Sequence, residues 1–144
     1  MSNDIAELSP KLLWYYFNEI CKIPRPSGNE EKIIKYLVNF GKQNGLETIT
    51  DDSGNVLIRK QASKGKEKSP VIILQSHLDM VCEKNSDINH NFLTDSIKPY
   101  IEGGWIKAKG TTLGSDDGIG IAAMLAILTD ENVEHGPLEC LFTV

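Results

Sequence analysis

The chain has 144 residues, 40% of them hydrophobic and 24% charged, the proportions of a soluble globular domain long enough to bury a real core. Its net charge of −5 argues against a nucleic-acid partner, because phosphate contact needs clustered Lys and Arg. The basic stretch Lys60 to Lys68 is interleaved with Ser, Gly and Glu and reads as a solvated loop.

No apolar run approaches the ~18 residues of a membrane span. Met1 to Asp4 lacks the basic and apolar regions of a signal peptide. Cys21, Cys82 and Cys140 are odd in number and far apart, which suits reduced thiols better than a disulfide framework or a zinc site. A cytoplasmic protein with no membrane partner is expected.

In chain order, Ser9-Pro10 reads as an N-cap with proline in the first helical turn. Leu12, Leu13, Tyr16, Phe17 and Ile20 then share one helical face. Pro24 to Gly28 breaks that helix, and Ser27 stands three residues before Glu30, the spacing of a capping box. A second helix follows with Ile33, Ile34, Leu37, Val38 and Phe40 as its apolar face and Gly45 as its stop.

Residues 46–50 and 55–60 flank Asp51-Asp-Ser-Gly54 as a hairpin. Val71 to Leu74 is a short continuous apolar run, the pattern of a strand buried on both faces. Tyr100-Ile and Trp105-Ile bracket Glu102-Gly-Gly104 as a second hairpin. Gly118 to Leu128 reads as a buried helix, and Leu138 to Val144 as another apolar strand. Helices alternating with buried strands predict an α/β fold with a partly parallel, mixed sheet and the two N-terminal helices packed on it.

Two segments carry groups able to do chemistry. Gln75-Ser-His-Leu-Asp79 directly follows the Val71 strand, and the carboxyl ends of such strands are where α/β sheets place ligands. His77 and Asp79 are two apart, so extended backbone points both to one side. That suits a metal-binding imidazole whose second ring nitrogen is held by a carboxylate. A surface His beside a loop Asp is the plainer alternative.

Gly110-Thr-Thr-Leu-Gly-Ser-Asp-Asp-Gly-Ile-Gly120 sets adjacent carboxylates, Asp116 and Asp117, in a glycine-rich turn before a helix. Neighbouring carboxylates in a low-dielectric site repel unless a cation compensates them. Here the plainer alternative is that Ser115 or one Asp simply caps the helix. Gly118-Ile-Gly120-Ile-Ala-Ala123 also matches the dinucleotide fingerprint as a string, but the polar stretch before it is not a buried strand.

An apolar strand leading into H-x-D, then an Asp 39 residues on (116 minus 77) at a glycine-rich turn before a helix, resembles the co-catalytic zinc family of carboxypeptidases, aminoacylases and dipeptidases. Ser76-His-Leu-Asp-Met-Val81, the 110–120 segment, Ile23-Pro24, Gly54-Asn55-Val56 and Glu102-Gly-Gly-Trp105 are similar to its aminoacyl-histidine dipeptidase branch.

The resemblance implies a three-layer α/β zinc-peptidase domain, of which residues 1–144 would be the N-terminal part. It implies hydrolysis of dipeptides with a preference for Xaa-His, at a two-zinc site with a bridging water; manganese or cobalt would also suit His plus carboxylates. On that pattern His77 ligates one zinc, Asp116 bridges both, and Asp79 belongs to the catalytic set as the carboxylate behind His77. Asp117 takes a supporting role. His90 and His135 match no family motif.

The family's general base is the first Glu of a Glu-Glu pair directly after the strand that here ends at Val144. Further ligands and the smaller inserted domain, which often mediates dimerisation, also belong beyond that point. Glu131, Glu134 and Glu139 are poorly placed to substitute. The chain is therefore expected to be a truncated piece, inactive alone, with a homodimer left open for the full-length protein. The competing function is a non-enzymatic metal-binding or interaction module with relic ligands.

Overall fold

The computed structural model describes residues 5–144, so the reading of Met1 to Asp4 lies outside the described residues. After a short 3-10 turn, α1 spans Lys11–Cys21 and buries Phe17, Ile20 and Cys21, as the 3.6-residue period requires. Ser9 is not its cap. Extended Pro10 stands before the first turn, no side chain caps it, and the Ser9 carbonyl instead accepts the Trp14 indole N–H at 3.2 Å. Leu12, expected on the apolar face, lies at its exposed margin.

Helix α2 spans Glu31–Gln43 and buries Ile33, Leu37, Phe40 and Gly41. The expected capping box does not form. Ser27 turns its hydroxyl to the Asp79 carboxylate, and Glu30 accepts the Gly28 N–H at 2.6 Å. The local pattern is outweighed by a partner 52 residues away. At the other end Gly45 takes a positive φ of 64°, as the stop position requires.

Strands β1 (Glu47–Thr50) and β2 (Val56–Lys60) form the first hairpin, whose turn is tied by Asp51 accepting the backbone N–H groups of Ser53 and Asn55. Strand β3 spans Ile72–His77, and β4 (Pro99–Glu102) pairs with β5 (Trp105–Ala108) across Gly103-Gly104, both at positive φ. Helix α3 spans Ser115–Thr129, and β6 spans Leu138–Thr143.

The larger sheet has the order β1-β2-β6-β3. Its β1/β2 and β2/β6 pairs are antiparallel and β3/β6 is parallel, which makes the mixed sheet expected of the sequence. Val56 and Ile58 align with Phe142 and Cys140, and this face packs against Ile20, Ile33, Leu37, Phe40, Ile121 and Leu125 from the three helices. A second cluster gathers Phe17, Cys21, Met80, Ile97 and Ala122 where α1 meets α3.

One strand departs from its reading. Val71, Ile72 and Ile73 are exposed, Ile73 to 63%, because β3 is an edge strand bonded to β6 on one side only among the described residues. Central β6 buries one face through Leu138, Cys140 and Phe142, while Glu139, Leu141 and Thr143 on the other face are half-buried.

All three cysteines are free thiols. Burial pushes Cys21 up to about 12 and Cys140 up to about 11, so both are neutral small hydrophobes. Among the described residues no helix is long and apolar enough to cross a membrane.

Candidate metal site

The site begins where β3 ends. The β3/β6 ladder runs to His77 opposite Thr143, and the Leu78 N–H still bonds the Thr143 carbonyl at 2.7 Å. Ser76, Leu78 and Met80 are buried, so the alternating backbone sends His77 and Asp79 together to the other side. Asp79 Oδ1 lies 2.9 Å from His77 Nδ1. Its other oxygen accepts the Ser27 hydroxyl.

That Ser27 bond, with help from His77, holds the Asp79 carboxyl below the usual carboxylate range. An ionised carboxylate only accepts, so Nδ1 carries a proton and directs Nε2 outward. Nε2 faces Asp116 Oδ1 at 3.0 Å. The Asp116 carboxylate raises the His77 pKa first, burial opposes it, and Asp79 adds to the rise.

Asp116 reaches this position through an irregular helix start. Gly114 takes a left-handed φ of 71°, and Asp116 and Asp117 have non-helical backbone angles on either side of a cis peptide bond. The two acidic side chains have different partners. Asp116 is 95% exposed and turns to His77, whereas Asp117 accepts the Gly120 N–H at 3.1 Å and caps the helix. The pair thus divides its contacts, Asp116 facing the imidazole and Asp117 the helix start.

His77, Asp79 and Asp116 line a cavity of about 360 Å³ with Val81 and residues 112–115. An imidazole nitrogen and a carboxylate oxygen facing each other, with the second imidazole nitrogen already held, are donors that fit zinc. They form a two-donor corner. Among the described residues no group of three or more His, Cys, Asp or Glu side chains is placed to hold a metal.

The other acidic and imidazole groups lie elsewhere. Glu139 pairs with Arg59 at 2.8 Å, Glu134 with Lys66 at 3.6 Å, and Glu131 lies beyond the end of α3. His90 packs against Phe92, with ring centroids 4.5 Å apart, and His135 Nδ1 contacts the Gly136 carbonyl at 2.7 Å. Gly118 and Gly120 stand in the first regular turn of α3 after the kink at residues 116–117, with no strand directly before them as a dinucleotide fingerprint needs. Sequence reasoning missed Ser27 as a partner of Asp79 because its spacing to Glu30 imitates a capping box.

No protein-family model matches the chain. It is 51% identical over 142 residues to the cytosol non-specific dipeptidase of Escherichia coli K12, a match covering 99% of this chain and 29% of that protein. Its structure superposes on an aminoacylhistidine dipeptidase from Vibrio alginolyticus with a TM-score of 0.96 at 47% identity, over 97% of this chain and 29% of that one. A Staphylococcus aureus tripeptidase matches with a TM-score of 0.73 at 25% identity, over 95% of this chain and 37% of that one. The chain thus spans less than a third of the length of the first two relatives, and these matches bear out the resemblance and the α/β fold with a mixed sheet expected from the sequence.

Proposed function

We propose that the 144 residues form the N-terminal part of the catalytic domain of a metal-dependent dipeptidase that accepts Xaa-His among its substrates. The observation that carries this reading is His77, fixed by Asp79 through Nδ1 and presenting Nε2 to Asp116. In this reading His77 and Asp116 are metal ligands, Asp79 orients the imidazole, and Asp117 secures the turn that aims Asp116. When bound, zinc, or manganese or cobalt in its place, supplies Lewis acidity toward the scissile carbonyl.

The chain's own contribution is positional. Asp79 sets the His77 tautomer and raises its basicity, and Ser27 keeps the Asp79 carboxylate ionised and oriented. The E. coli relative is named as a cytosolic enzyme, which supports a cytoplasmic place for this one.

The test is a panel of dipeptides, Xaa-His included, assayed with a protein extended to the relatives' length. Hydrolysis should disappear with a chelator and return with added zinc, manganese or cobalt; cleavage indifferent to the chelator contradicts the proposal. The two-donor corner also favours a second reading, a metal-binding module without catalysis. Zinc calorimetry on the 144-residue chain and on the extended version separates the two. Tight zinc binding with no turnover in the extended protein supports the module.

A further inference from the structure

Arg25 is 2% exposed and is the largest fully buried side chain among the described residues, although it carries a charge. Its polar contacts are to carbonyl oxygens rather than to a carboxylate. Nη1 donates to the carbonyls of Leu78 at 2.9 Å and Asp79 at 3.0 Å, and Nη2 donates to the carbonyl of Gly114. The first two flank the side chain held against His77. The third belongs to the turn that launches Asp116.

The backbone around Arg25 joins the same loop. The Met80 N–H bonds the Arg25 carbonyl at 3.0 Å, and Pro26 bridges to Met80. Two residues further on, Ser27 donates to the Asp79 carboxylate. The segment between the first two helices therefore grips both the main chain and the side chain of Asp79.

The fork also explains two glycines. A β-carbon at Gly114 would lie 2.7 Å from Arg25 Nη2, and one at Gly118 would lie 2.6 Å from it. At Gly118 the guanidinium fills the space a β-carbon would need; at Gly114 it shares that role with Met80 Sδ, also 2.7 Å away, and with the left-handed φ of 71°. A planar group with five donors can bond two backbone segments at once, which the single ammonium of Lys cannot do in the same geometry.

We infer that Arg25 is a positioning residue that sets the separation of His77 and Asp116 by bonding the two loops that carry them. This rests on the reading of His77 and Asp116 as metal ligands. Arg25 acts through the backbone and touches neither side chain in the geometry described.

The experiment measures zinc affinity by competition with a chromophoric chelator in wild type, Arg25→Met, Arg25→Lys and His77→Ala, with melting temperatures as controls for folding. Both Arg25 variants should bind zinc about 10–100-fold more weakly, the range for residues that orient ligands. Full affinity in Arg25→Lys would show that charge alone suffices and would overturn the inference. Tighter binding in Arg25→Met would also overturn it, because the guanidinium would then act only as a repelling charge.

Should Arg25→Met fail to fold, Gly118→Ala decides, since its β-carbon would lie 2.6 Å from Nη2 and crowds the fork at a position with no left-handed φ, while the guanidinium remains. The same loss is expected, and unchanged affinity contradicts the inference. His77→Ala separates the two levels. If it leaves zinc binding intact, the ligand reading itself fails; if it abolishes binding while the Arg25 variants match wild type, only the role of Arg25 fails.

Discussion

Replacing His77 with alanine in the extended protein is expected to abolish metal-dependent dipeptide hydrolysis while leaving the fold standing. On the proposed reading the imidazole supplies the nitrogen donor of the corner and Asp79, 2.9 Å from Nδ1, aims it. Losing a ligand removes several kcal/mol of metal-assisted stabilisation. At about 1.4 kcal/mol per decade, the rate should fall by ~10³-fold or more. Stability should change little, because the His77 side chain is 41% exposed and its carboxylate contacts are screened by solvent. Steady-state rates at saturating zinc, read beside a melting curve, check both halves. A metal-replete His77→Ala protein of undiminished rate removes the assignment.

Asp116→Asn should come next in severity and should contrast sharply with Asp117→Asn. The Asp116 side chain is exposed and, among the described residues, hydrogen-bonds only His77, so its amide variant should fold normally but offer the metal a neutral oxygen. A loss of ~10³-fold in rate is again expected from weakened metal-assisted catalysis. Asp117 caps Gly120, and an Asn carbonyl oxygen can accept the same N–H. Asp117→Asn should therefore stay within several-fold of wild type. Zinc titration and rate measurements on the two variants compare adjacent residues in one turn. Equal losses would mean that the division of roles between them is wrong.

Much of this arrangement is legible without coordinates because simple periods govern it. The 3.6-residue repeat of Ile33, Leu37 and Phe40 defines α2, and the glycine turns mark both hairpins. The two-residue repeat places His77 and Asp79 together because Leu78 between them is buried. What resists sequence reasoning depends on distant neighbours. An apolar run such as Val71 to Leu74 reads as buried on both faces, yet its exposure is decided by which strands flank it. Ser27 and Glu30 satisfy a local capping pattern, but the Ser27 hydroxyl goes to Asp79 instead.

The acidic pair shows the same limit at closer range. Adjacent aspartates look equivalent in sequence, yet Asp116 faces His77 and Asp117 accepts the Gly120 N–H at the helix start. Arg25 is the plainest case. Nothing in a Pro-Arg-Pro string announces that its guanidinium will be buried among three carbonyls from two other segments.

The central claim, that His77 and Asp116 together hold a metal, is tested most directly by anomalous diffraction at the zinc edge from crystals grown with zinc. A peak is expected about 2.0–2.1 Å from His77 Nε2 and about 2.0–2.2 Å from an Asp116 carboxylate oxygen, with Nδ1 still bonded to Asp79. Zinc bound elsewhere, with His77 Nε2 left to Asp116 as at present, contradicts it.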